Sequence, residues 1–188
     1  MNVNVQENGL LLLLPDPVTC FSNASYAQTQ TFHLAHGSSA VLLDWLTSGR
    51  MYNDEQWKFL RYSSINEVWV DGKRVARDAV LLESEHGDSG HHRTLQDRQG
   101  VYSCYATAVL SGPKVQRGVA SLSEEFQSNT LFRLHSPDDL VWSVARIPSG
   151  CITRVAGRTT EIVKDWLKER MSFLEEVVGE DVYSKAFV

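Results

Sequence analysis

The sequence predicts a β-rich fold that ends in helix, and three features predict it. An Asp71-Gly72 pair separates two runs of strand-forming residues, 67–70 and 73–82. Both turn residues tolerate positive φ, which makes this a hairpin signature. Residues 101–110 alternate so that Tyr102, Cys104, Ala106, Ala108 and Leu110 share one apolar face. Near the end, Ile162, Val163, Trp166, Leu167, Leu174, Val177 and Val178 recur at helical spacing, predicting an amphipathic helix over 160–178.

The other elements follow in chain order. The apolar run 10–14 is stopped by Pro15-Asp16-Pro17 and suits a buried strand. Residues 26–34 mix Thr, Gln, Tyr and Phe, a β-prone composition on a half-polar surface. Residues 39–46 are apolar apart from Asp44 and end at Ser48-Gly49. The stretch 83–100 is almost wholly polar and aperiodic, so it is expected to be a loop. A short helix is expected at 119–126, then a second hairpin, 140–147 with 151–156, around Pro148-Ser149-Gly150. Thr159 or Thr160 can cap the last helix, and Gly179 stands where a left-handed residue ends it. The tail 183–188 is apolar enough to dock on the body. With no repeat, and no linker other than the 83–100 stretch, residues 1–188 read as a single domain.

Composition narrows the function classes. Of 188 residues, 43% are hydrophobic and 22% charged, which excludes a disordered chain. A net charge of -5 excludes a strongly basic nucleic-acid binder. Cys20, Cys104 and Cys151 are odd in number with no CxxC, which argues against a disulfide framework or a zinc ribbon. The densest apolar run has five residues, far from the ~20 that cross a bilayer, and no signal-peptide pattern precedes it. The expectation is a soluble, cytoplasmic protein with neither nucleic acid nor membrane as a partner.

Catalytic signatures are missing as well. No GxGxxG, GxxxxGK[ST] or GxSxG occurs, and the twelve glycines fall in turns instead of cradling phosphate or straining a nucleophile. A hydrolase built on Cys104 or Cys151 with a distant histidine is conceivable, but Cys104 lies on the apolar face of its strand. The segment 83–92 gathers Glu83, Glu85, His86, Asp88, His91 and His92, a donor set for zinc, nickel or copper in a metal-buffering protein. Its glycines and lack of a rigid ligand spacing favour a solvated loop. His33 and His36 read as surface or hydrogen-bonded residues. Asp44 stands out because it interrupts an apolar strand, and a buried charge is costly unless paired or hydrated. It either faces solvent, lines a hydrated internal passage or meets a partner's cation. Arg50, just beyond, suits a bidentate carboxylate contact. The last helix either packs on its own core or receives a partner.

Four stretches carry a resemblance: LLLLLPDPVTCFSNASYAQTQTFHL (10–34), VLLDWLTSGR (41–50), NEVWVDGKRVARDAVLLE (66–83), and the closing IPSGCITRVAGRTTEIVKDWL with GEDVYSKAFV (147–188). In order and spacing they resemble the C-terminal two-thirds of the urease accessory protein UreD family, called UreH in some bacteria, with wording nearest its fungal and other eukaryotic members. The family's further N-terminal strands have no counterpart before Leu10. The resemblance implies stacked, β-helix-like strands with two C-terminal helices. It also implies a non-catalytic chaperone that joins UreF and the GTPase UreG on apo-urease and helps insert nickel, with no tightly bound cofactor. On that reading Asp44 is the candidate passage-lining carboxylate and transient nickel ligand, with Arg50 beside it at the Gly49-Arg50 turn.

Overall fold

The computed structural model describes residues 1–50, 53, 55–84, 93–132 and 139–187, with the backbone alone at 129–132. Its strands are β1 (Asn2–Val5), β2 (Leu10–Leu13), β3 (Val18–Thr19), β4 (Ser25–Leu34), β5 (Ser39–Thr47), β6 (Arg61–Val70), β7 (Lys73–Glu83), β8 (Cys104–Ser111), β9 (Leu140–Ile147) and β10 (Gly150–Gly157). Helices α1 (Leu95–Gln99), α2 (Gln116–Phe132), α3 (Thr160–Arg170), α4 (Glu175–Val178) and α5 (Glu180–Tyr183) are interspersed and close the chain.

The chain winds between two sheets. β1, β4 and β6 stack in parallel in the first sheet, while β2 and β5 stack in parallel in the second. Each passage from one sheet to the other adds one rung, so the first half is built like a two-sided β-helix. Winding stops at Asp71-Gly72, whose φ values of 47° and 75° turn β7 back antiparallel on β6. That is the primed hairpin the Asp-Gly pair predicts. β8, β10 and β9 then extend the second sheet antiparallel, giving the order β2-β5-β8-β10-β9 against β1-β4-β6-β7. The expected β-rich stack with C-terminal helices is what forms.

Period-two alternation in β5 serves two cores at once. Val41, Leu43 and Trp45 point outward, where α2 and α3 cover them with Val119, Leu122, Val163 and Leu167. Ala40, Leu42 and Leu46 point inward between the sheets. The alternation expected in β8 holds too: Cys104, Ala106, Ala108 and Leu110 are all at most 4% exposed, on the helix side.

Several expectations shift. β2 is a strand but half-buried, because it forms the edge of its sheet. Within the expected loop 83–100, Thr94 caps the short α1 through a reciprocal capping box with Asp97, and Leu95 is buried beneath it. The sequence pattern misses this helix because one turn is too short to show a period. The helix expected at 119–126 extends over Gln116–Phe132. The long helix expected at 160–178 breaks at Met171 into α3, a 3-10 turn and α4. Tightening there keeps Met171 and Leu174 in the core while the Phe173 ring lies on Gly118 of α2. A Cβ at Gly118 would stand 2.2 Å from that ring, so the glycine permits the approach. Thr159 is the cap, Gly179 has φ 88°, and Tyr183 docks the tail by donating its hydroxyl to the Lys168 carbonyl at 2.5 Å.

Two substitutions test this packing by thermal and denaturant unfolding. Leu110→Ala, at a fully buried site between sheet and helices, is expected to destabilise by about 2–5 kcal/mol. Gly112→Ala is expected to destabilise by more than about 1 kcal/mol, since φ is 100° and the new Cβ would stand 2.1 Å from the Ser38 carbonyl oxygen. Unfolding curves matching wild type would contradict the packing described.

Candidate functional site

Facing sides of the two sheets are apolar at both ends and polar in the middle. One end holds Phe32, Leu34, Leu42, Val68, Val109 and Ile152. Cys20, Leu46, Trp57, Phe59 and Tyr62 fill the other. Between them, strand register aligns two polar rows. In the second sheet Asp44 pairs with Thr107, Thr107 with Arg154, and Arg154 with Ser143. In the first sheet Gln30 pairs with Asn66, and Asn66 with Asp78. Gln28 and Ser64 form a shorter register pair beside that row.

Asp44 is the centre of this layer. Its Oδ1 accepts from Gln28 Nε2 at 2.9 Å and from the Tyr62 hydroxyl at 3.4 Å. Oδ2 accepts from Ser64 Oγ at 2.5 Å and from Asn66 Nδ2 at 2.6 Å. All four partners are neutral and come from the opposite sheet, and no ion pair to Asp44 occurs among the described residues. Hydrogen bonds to a charged acceptor contribute about 1.5–3 kcal/mol each, enough to hold a half-buried carboxylate without a cation. A supporting ring keeps the donors aimed: Tyr26 donates its hydroxyl to Gln28 Oε1 at 3.0 Å, and Gln30 Nε2 donates to the same oxygen at 3.2 Å. Burial first, then the Asp44 charge, pushes the Tyr62 phenol far above its ordinary value, and the same causes raise Tyr26. Both phenols therefore stay protonated and able to donate.

Asp78 completes the layer differently. Its side chain is 7% exposed and takes a 2.5 Å ion pair from Arg154 Nη2, whose own side chain is 47% exposed. A cleft of about 340 Å³ opens alongside, with Asp44, Thr107 and Arg154 among Val80, Leu82 and Tyr105 in its wall. Behind it, Gln30, Asp44, Asn66, Asp78 and Thr107 border a space of about 10 Å³. That is room for a single water. Polar groups thus run from the surface to the middle of the sandwich.

Sequence reasoning singles out Asp44 but leaves open whether it faces solvent or the interior; the structure turns it inward, between the sheets. Arg50 is not brought to it. Arg50 lies on the surface, donating to Glu55 through Nε at 2.8 Å and Nη2 at 2.7 Å, with its guanidinium 4.3 Å from the centre of the Phe21 ring. The expected carboxylate partner of Arg50 exists, but it is a neighbour in its own turn. Gln28, Gln30, Ser64, Asn66, Asp78, Thr107 and Arg154 are missed. Their signal is a polar residue flanked two positions away on both sides by apolar ones, as in Leu42-Asp44-Leu46, Ala76-Asp78-Val80 and Tyr105-Thr107-Val109. Repetition across strands, not any single strand, marks the layer.

The other candidates fare differently. Residues 85–92, with Glu85, His86, Asp88, His91 and His92, lie outside the described residues. His33 rests beside Trp69, and His36 pairs with Asp71 at 3.6 Å in the open. Burial raises the thiol of Cys104 to about 12 and that of Cys151 to about 11, opposite to the depressed value an activated nucleophile needs. At pH 8 the thiolate of either is on the order of one part in a thousand or less. DTNB is therefore expected to leave the native thiols unlabelled at pH 8 and to label all three cysteines after denaturation. Rapid labelling of Cys104 or Cys151 in the native protein would restore the hydrolase reading.

Among the described residues, no helix is long and apolar enough to cross a membrane. The chain is similar to urease accessory protein D of Oryza sativa subsp. indica, 30% identical with 95% of this chain and 64% of that protein covered. It is 33% identical to urease accessory protein D of Arabidopsis thaliana, with 98% and 68% covered. Urease accessory protein 4 of Cryptococcus neoformans var. grubii is 30% identical, with 98% and 61% covered. The chain thus spans roughly two-thirds of the length of these relatives or slightly less. A family profile described as UreD urease accessory protein matches residues 1–186, nearly the whole chain, and the chain belongs to that family.

Proposed function

We propose that the chain serves urease maturation as a non-catalytic scaffold through which nickel passes to apo-urease, in a complex with UreF and the GTPase UreG. Family membership supports the urease connection, and relatives named as accessory proteins support a role without catalysis of its own. The observation that carries the nickel reading is Asp44: an inward carboxylate held by neutral donors and reached from the surface through a cleft. Nickel is the cargo here, not a resident cofactor.

The donor chemistry suits cargo. Carboxylate, amide and hydroxyl oxygens ligate a divalent transition metal weakly and exchange readily, whereas thiolate and imidazole hold nickel more firmly. Neutral donors around Asp44 leave its negative charge uncancelled, so the layer attracts cations. Apolar clusters on both sides confine water and ion to the middle. On the surface, Arg50 and the half-exposed Phe21 form a contact suited to a partner protein. A cytoplasmic setting agrees with three free, buried cysteines.

Asp44→Asn keeps the side-chain volume and removes the charge. In cells that express urease and its accessory proteins, this variant is expected to lower urease activation and the nickel content of urease by about tenfold or more, the scale on which ligand and ligand-orienting groups act in metal sites. Co-purification of the accessory complex is expected to persist, while the melting temperature falls by several degrees, because the new amide NH2 meets donors where the carboxylate accepted hydrogen bonds. Undiminished activation would remove Asp44, and the passage reading with it.

A further inference from the structure

We infer that Arg154 is a displaceable counter-cation: its guanidinium occupies Asp78 while the polar layer is empty and swings out when a divalent cation binds among Asp44, Asp78 and the Asn66 amide oxygen. This rests on the reading of the layer as a cation passage and adds how that passage is closed and emptied.

Asn66 supplies the first observation. It is 7% exposed, and its Nδ2 is engaged with Asp44 Oδ2 and with Ser64 Oγ at 3.3 Å. Its Oδ1 is buried with no partner among the described residues. Flipping the amide would set that oxygen against the Asp44 carboxylate, so the orientation is dictated by its neighbours. An orphaned acceptor at this depth is costly, and a native fold retains one where a water or an ion fills the position. Asn66 borders the small space shared with Asp44, Asp78, Thr107 and Gln30. Asp44, Asp78 and Asn66 line it together, so two carboxylates and an amide carbonyl belong to the wall of one space, oxygen donors of the kind divalent cations take.

Arg154 supplies the second. It is held at the layer by one 2.5 Å contact to Asp78, through a side chain that is half in water. Asp78 is anchored in β7 beside Asn66 and cannot leave. Arg154 can, because the cleft beside it offers space to receive the freed side chain. Its place in the row is two strands from Asp44, about 10 Å at ordinary strand spacing. A guanidinium on Asp78 and a divalent cation bound to the same carboxylate exclude one another by charge and by position. Binding and displacement are then reciprocal: whatever weakens the Arg154 contact tightens cation binding by the same factor, and its return expels the ion. Weak, reversible ligation follows from competition within the fold.

Titration calorimetry of the full chain with NiCl₂ tests this. Arg154→Gln is expected to tighten nickel binding by about tenfold, within the usual range for coupled sites, and Asp78→Asn to weaken it comparably. Circular dichroism and melting temperature monitor the fold of both. A second measurement needs no variant: Ni²⁺ is expected to increase phenylglyoxal modification of Arg154 in the wild-type chain, followed by peptide mass spectrometry. Arg154→Gln binding nickel no more tightly than wild type, or Arg154 modification unmoved by Ni²⁺, would overturn the inference. If Asp44→Asn blocks urease activation while both Arg154 readouts stay flat, the passage stands and the counter-cation falls. If both Arg154 readouts respond while Asp44→Asn activates urease normally, the counter-cation stands and the urease passage falls.

Discussion

A carboxylate placed between two sheets must be satisfied from the opposite sheet, and most of the structure around Asp44 is arranged to meet that demand. Four neutral donors, from Gln28, Tyr62, Ser64 and Asn66, reach its two oxygens, and further amide and phenol groups hold the donors in place. An apolar side chain at position 44 would be simpler to bury. Retaining a charge here instead of closing the core imposes a polar cross-section on every neighbouring strand. Thr107 and Arg154 follow from it on one side, and Gln30, Asn66 and Asp78 on the other.

The winding of the chain makes that cross-section possible. Parallel rungs put Gln30 of β4 directly beside Asn66 of β6, and the Asp71-Gly72 turn sets Asp78 of β7 in register with them. A one-residue slip in any of these strands would send its polar side chain to the outer face. Register is fixed by the apolar clusters on both sides, where Phe32, Leu42 and Val68 or Leu46, Phe59 and Tyr62 lock the same strands. Stability and the polar layer therefore come from one alignment. The helices add an independent support: α2 and α3 cover the outer face of the second sheet and hold β5 and β8 rigid behind Asp44.

Much of this was legible in the residues. The Asp-Gly hairpin, the alternation of β8, the Pro148-Ser149 turn and the apolar stripe of α3 are local patterns, and each appears where expected. Asp44 stood out because it breaks a short apolar run. What could not be read is what depends on neighbours distant in sequence. Asp78 and Arg154 are 76 residues apart, and neither looks unusual in its own strand. Likewise the break of the last helix at Met171 depends on where Phe173 meets Gly118, and the pairing of Arg50 with Glu55 on a turn whose geometry brings them together. Family resemblance supplied the expectation of a passage; strand register supplied the other residues of the polar layer.

The proposed passage requires a cation to enter between the sheets at Asp44. Crystals of the full chain soaked in NiCl₂ and measured at the nickel absorption edge locate the ion directly. The account predicts an anomalous peak bounded by Asp44, Asp78 and the Asn66 amide oxygen, with Arg154 turned away from Asp78 into the cleft. Nickel bound elsewhere while the inter-sheet layer stays empty, or a peak in the layer with Arg154 still seated on Asp78, would contradict it.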